Sequence, residues 1–199
     1  MTVQTTAAPD PSRTSLYVND ALYARVVAQF ADWQRDERIV ADLPIRDHAR
    51  QLIEREARLL DGHEYEAWLA MLAPECIYWI PGTPTRGDPR REIAITFDDR
   101  RRLEDRIYRL RTGYAWSQAP RSRTVRLVTN VEVFATGEPS ARMVRSNFLV
   151  SEFWGDETRI LTGWAAHRIV QRDGLWQVEA KQVNLIDCDQ CLRNPSIIL

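Results

Sequence analysis

Histidines, cysteines and carboxylates are the side chains of this 199-residue sequence that could carry acid–base, thiol or metal chemistry. There are three histidines (His48, His63, His167) and three cysteines (Cys76, Cys188, Cys191). A non-haem iron facial triad needs two histidines and a carboxylate with open coordination positions; the histidines are scattered, and no local spacing supports one. A Rieske cluster needs paired cysteine and histidine ligands, and neither Cys-x-His nor Cys-x-x-His occurs. Cys188-Asp-Gln-Cys191 is a Cys-x-x-Cys. With only one further cysteine it cannot complete a four-thiolate zinc site, and it follows a strand pattern instead of opening a helix. Two incidental thiols are the simpler account. Asp47-His48 at a helix start is a candidate acid/base pair, set against the plainer reading of an exposed helix end. His167 stands beside Ala165, Ala166 and Ile169, which suits a packed histidine in a core or interface. No glycine-rich phosphate loop and no Gly-x-Ser-x-Gly elbow is present.

Composition narrows the class further. The chain is 44% hydrophobic and 28% charged, as expected of a globular protein with a real core. A net charge of −1 gives no basic excess for neutralising a nucleic-acid backbone. No apolar run approaches the roughly 18 residues of a membrane span. Residues 1–18 lack the basic and apolar regions of a secretory signal and read as a disordered leader. An odd, low cysteine count then points to reduced thiols in the cytoplasm.

The elements follow from periodicity. Leu22, Val26, Phe30 and Trp33 predict a helix from Asn19 or Asp20 to Arg38, within an N-terminal helical extension over 19–43. Pro44 suits a helix start. Ile45, Ala49, Leu52, Ile53, Ala57 and Leu60 form its stripe, and Asp61-Gly62 ends it. A short helix is expected over 64–72, a strand over 76–80 and another over 93–96. Strands are expected at 123–135, 142–154, 158–172 and 175–187, the last two joined by a hairpin turn at Asp173-Gly174. Helices first and an antiparallel meander last make an α+β fold.

The densest block is 97–133. From Asp98 to Arg111, ten of fourteen residues are charged. Leu103, Ile107, Leu110 and Tyr114 draw one helical stripe, Thr96 is a plausible cap, and Gly113 suits the position past the helix end. After Pro120 the period becomes two. Val125, Leu127, Thr129, Val131 and Val133 are expected on one face, with Arg126, Val128, Asn130 and Glu132 on the other. Charge runs are usually solvated faces. The sharper reading is that the arginines meet a partner protein.

Particular residues carry a resemblance. They are Glu56-Ala-Arg-Leu-Leu60, Trp68-Leu69, Tyr78, Pro81, Asp98-Asp99, Arg106, Arg109-Leu110, the turn Trp116-Ser-Gln-Ala-Pro120, Ser122-Arg-Thr124 and Val128-Thr-Asn-Val131. The tail Leu185-Ile-Asp187 and Asn194-Pro-Ser-Ile-Ile-Leu199 joins them. Over 44–199 the chain resembles the small (β) subunit of aromatic-ring-hydroxylating dioxygenases, the Rieske non-haem iron oxygenases. The resemblance implies an NTF2-like cone, a curved antiparallel sheet wrapped around helices. It implies a non-catalytic subunit that forms a trimer with other β subunits beneath three catalytic α subunits. The Rieske cluster and mononuclear iron are then expected in α, with no cofactor in this chain and no nucleic-acid or membrane partner. Asp98, Asp99, Arg106, Arg109, Trp116, Arg121 and Arg123 become candidate interface residues, since an arginine fork binds carboxylates bidentately. The alternative is a stand-alone dehydratase or isomerase of the same fold, drawing its acid/base pair from Asp47, His48, Tyr78 or Asp99.

Overall fold

The computed structural model describes residues 18–112, 115–190 and 197–199. Six strands form one sheet in the order β2-β1-β6-β5-β4-β3: β1 Leu72–Pro81, β2 Ala94–Asp99, β3 Arg123–Ala135, β4 Ala141–Trp154, β5 Glu157–Arg172 and β6 Leu175–Leu185. Among the described residues, only β1 and β6 pair in parallel. The sheet is curved and unclosed. Helices α2 (Leu43–Asp61), α3 (Tyr65–Leu69) and α4 (Arg100–Thr112) lie against its concave face, and their stripe residues Ala49, Ile53, Leu60, Trp68, Leu103 and Ile107 share a core with Tyr78, Val144, Ile169 and Val183. The long meander fits the expected strands to within two residues at each end.

Helix α1 (Asp20–Phe30) lies instead on the outer face, where Leu22 and Val26 pack on Ile77, Trp79 and Ala180. Asn19 caps it by accepting from the Leu22 N–H at 2.9 Å. The helix stops eight residues before the expected Arg38. Ala31 is extended, Asp32 takes a positive φ of 48°, and Trp33 turns to meet Phe134 edge-on at 5.2 Å. The tertiary site for an indole outweighs continuation of the stripe. The chain then makes a 3₁₀ turn at Asp36–Arg38, and Val40 N–H donates to Val133 C=O at 2.8 Å on the β3 edge.

Two further expectations are corrected. The cap of α4 is Asp99, which accepts from the Arg102 N–H at 2.9 Å, whereas Thr96 lies within β2. On β3 the faces invert partway. Asn130 has φ +51° and the register with β4 shifts between Thr129 and Glu132. Such a bulge turns the residues before it to the opposite side. Val133 is buried as expected, but Val125 and Leu127 point outward and are 61% and 59% exposed. Tyr114 and Gly113, expected at the end of the charged helix, lie outside the described residues, as do the leader 1–17 and Cys191.

Candidate functional site

Inside the cone, α2, β5 and β6 bring three ionisable side chains together. Glu56 sits in the apolar stripe of α2, three residues after Ile53 and four before Leu60. His167 Nε2 and Lys181 Nζ each approach Glu56 Oε2 at 2.9 Å, and Trp68 Nε1 donates to Glu56 Oε1 at 3.0 Å. All four side chains are buried. Burial opposes ionisation of Glu56, but Lys181, then His167 and Trp68, outweigh it and hold its pKa well below the carboxylate range. Burial lowers His167 and Lys181, with Glu56 pulling each back up. The arrangement is therefore a Glu56–Lys181 ion pair beside a neutral imidazole, whose Nε2–H donates to the carboxylate. Its Nδ1 is buried with no partner.

The mouth of the cone is filled. Ile197, Ile198 and Leu199 are buried in the core. Tyr78 Oη donates to Leu199 C=O at 3.0 Å and accepts from Leu199 N–H at 2.8 Å. Arg126 donates to Ile198 C=O at 2.5 Å and pairs with Asp61, which also accepts from Thr124 Oγ1 and the Arg126 N–H. The cavity left beside Glu56, His167 and Lys181 measures about 30 Å³. That is room for a water molecule and an order of magnitude below the roughly 300–1,000 Å³ of small-molecule sites.

The acid/base candidates do not converge on this space. Asp47 and His48 are exposed on α2, where Asp47 pairs with Arg50 and His48 Nδ1 lies 2.8 Å from Pro44 C=O. Asp99 is committed to its helix cap, and Tyr78 to the Ile197–Leu199 segment. Sequence reading missed Glu56 and Lys181. The available signal was a carboxylate inside an apolar helical stripe and a lysine on the apolar face of a strand.

Nor does the donor set of the described residues fit a Rieske cluster or a mononuclear iron. Among the described residues no group of three or more His, Cys, Asp or Glu is placed to hold a metal ion. His63 Nδ1 lies 2.9 Å from Tyr65 Oη, His167 is spent on Glu56, and Cys76 and Cys188 are free, buried thiols. Burial raises Cys76 to about 12, far from a thiolate ligand at neutral pH.

The predicted interface residues divide into two sets. Asp98 and Arg106 are half-buried and pair with each other at 2.8 Å, and Asp99 is buried. Burial raises Asp98, with Arg106 opposing. Arg109, Trp116, Arg121 and Arg123 are exposed, with Trp116 at 84%. Arg109 lies on α4, and the turn that presents Trp116, Arg121 and Arg123 is internally tied. Gln118 Oε1 accepts from Ser122 N–H and Oγ, Trp154 Nε1 donates to Pro120 C=O at 2.9 Å, and the Arg123 guanidinium lies 4.7 Å from the Phe153 ring centroid. Beside them the β3 bulge exposes an apolar strip. Val125, Ser151 and Ile160 share one register row and Leu127, Leu149 and Thr162 the next, with Ile160 60% exposed.

Comparison with known proteins places this architecture. The family described as ring hydroxylating beta subunit matches residues 55–189. The 2-halobenzoate 1,2-dioxygenase small subunit of Burkholderia cepacia is 36% identical over 101 residues, 48% of this chain and 59% of that one. The toluate 1,2-dioxygenase subunit beta of Pseudomonas putida is 36% identical over 89 residues, 42% of this chain and 55% of that one. The chain thus spans little more than half the length of these curated relatives. A chain of naphthalene 1,2-dioxygenase with indole bound in its active site has the same fold, with a TM-score of 0.73 at 20% identity over 92% of this chain and all of that one. The chain is a member of the ring-hydroxylating dioxygenase β-subunit family.

Proposed function

We propose that this chain is a non-catalytic, structural subunit of a multicomponent aromatic-ring-hydroxylating dioxygenase. In this reading it assembles as a β trimer with three α subunits that carry the Rieske cluster and mononuclear iron, and it works in the cytoplasm in aromatic catabolism. The observation that carries it is the closed cone. A subunit that turned over an aromatic substrate inside its cone, beside Glu56, His167 and Lys181, would need a cavity there, and Ile197–Leu199 fill that space down to about 30 Å³. Chemistry is then supplied by a partner, and this chain supplies surface.

That surface is the exposed strip of Val125, Leu127 and Ile160 with the adjoining turn that carries Trp116, Arg121 and Arg123, while Arg109 stands exposed on α4. Aromatic and arginine side chains are enriched at interfaces, and a contiguous exposed apolar patch marks a protein contact. Asp98, Asp99 and Arg106 act one step behind, fixing the start of α4 and its approach to β2. Among the described residues no helix is long and apolar enough to cross a membrane, in keeping with the same reading. The test is reconstitution. The purified chain alone should contain no iron and hydroxylate no aromatic ring, and adding a ring-hydroxylating α subunit should yield an iron-containing, active complex. Turnover by the chain alone would favour a stand-alone dehydratase or isomerase.

A further inference from the structure

A cleft of about 600 Å³ lies on the outer face of the sheet, away from the cone. One wall comes from the N-terminal extension, through Phe30 and Trp33, and the other from the sheet, through Trp79, Arg145 and Trp164. Arg86, from the loop between β1 and β2, completes the rim. The extension precedes residue 55, where the family match begins, so family membership does not account for this wall.

The cleft combines aromatic surfaces with two cations on one ring. The guanidinium carbons of Arg86 and Arg145 lie 5.0 Å and 5.2 Å from the Trp164 ring centroid. Arg145 donates to Asn147 Oδ1 at 2.9 Å and has Glu132 at 4.0 Å. Arg86 has no ion-pair partner among the described residues, and Asp32, at the rim, is already engaged by Arg35. Two like charges beside one indole repel each other, and an anion bound between them would offset that repulsion. Arg86 is also held in place. Its φ of +52° is costly for a residue with a side chain, and Glu92 ties its loop by accepting from the Thr85 hydroxyl at 2.6 Å and the Gly87 N–H at 3.0 Å. Trp79 has its indole N–H buried without an acceptor, a rare arrangement for a buried donor.

We propose that this cleft is a binding site for a small planar aromatic carboxylate. The ring lies against Phe30 and Trp164, with the buried Trp33 behind them, and the carboxylate bridges Arg86 and Arg145. The volume falls within the range of small-molecule pockets, aromatic walls with a few convergent polar groups being their usual composition. Guanidinium forks match the planar, bidentate geometry of a carboxylate, as they do that of a phosphate.

Benzoate is the probe, titrated calorimetrically into the full chain, with benzamide and acetate as comparisons. Saturable binding of benzoate at millimolar or lower Kd is expected, with benzamide and acetate each about tenfold weaker or more, because each lacks one half of the recognition. Arg86→Ala, at an exposed position, leaves the fold intact by circular dichroism and weakens benzoate about tenfold. Arg145→Ala does the same. Absence of saturable binding up to about 10 mM benzoate, or benzoate affinity unchanged in Arg86→Ala, overturns the proposal. So does a wild-type chain that ignores benzoate while Arg86→Glu abolishes association with a ring-hydroxylating α subunit, since the cleft would then dock protein.

Discussion

Glu56 is the residue on which the interior turns. It is buried, bonded to Trp68, His167 and Lys181, and carries the charge that keeps Lys181 compensated. Glu56→Gln leaves that ammonium buried without its counter-charge, which in buried pairs costs about 3–5 kcal/mol. Urea unfolding should show that loss, and a change under about 1 kcal/mol would mean that Lys181 finds another partner. Acid acts on the same cluster. Burial depresses His167 from the ordinary 6.5, so below that pH the unfolded chain binds a proton that the folded one refuses, and stability falls as pH drops through 6.5. Glu56, depressed from 4.5, adds a second loss below pH 4.5. The melting temperature of wild type should fall between pH 7 and 5, and His167→Gln should flatten that slope, leaving a smaller part from His63, which burial also lowers. At this scale the sequence was only partly legible. His167 reads as packed from its alanine neighbours. Glu56 and Lys181, however, are 125 positions apart, and no local pattern pairs a carboxylate on a helix with a lysine on a distant strand.

At the scale of elements, α2, β4 and β5 were legible because one period runs through each, and β6 was legible in extent although its register with β5 shifts at Arg168/Ile169, so that its inner face passes from Val178 to Val183 and Leu185. Helix α1 and strand β3 were not, for different reasons. The stripe through Phe30 and Trp33 continues on paper, but Trp33 leaves it for a site against Phe134 that exists only once the sheet has formed. On β3 the alternation is regular in sequence, yet the bulge at Asn130 reverses it, so Val125 and Leu127 become surface. That reversal has a consequence. Leu127→Asp changes an exposed position and should leave stability within about 0.5 kcal/mol, while a desolvated aspartate in an apolar contact should weaken assembly. Size-exclusion chromatography of the variant, alone and with α, checks this. Unchanged assembly would remove the strip from the proposed interface. The charged helix shows a third behaviour, for its stripe was legible in Leu103 and Ile107, both buried, while its arginines divide by tertiary position. Arg106 is held by Asp98 and Arg100 donates to the Leu69 and Leu72 carbonyls at 2.7 and 2.9 Å, whereas Arg109 is exposed.

For the molecule as a whole, the sheet separates two roles. Its concave side is closed by three helices and the Ile197–Leu199 segment, and offers no room for a substrate. Its outer side carries α1, the aromatic cleft and, toward β3, the exposed apolar strip. The α+β class was readable from the order of helical and strand periods, and the cone from the resemblance. Periodicity says nothing about which face of a sheet is closed and which is open, because that depends on segments far apart in the chain. The role proposed for this protein is assembly. Native mass spectrometry of the chain co-expressed with a ring-hydroxylating α subunit tests it most directly. A complex with three copies of each subunit is predicted, and a chain that stays uncomplexed beside a folded α subunit would contradict it.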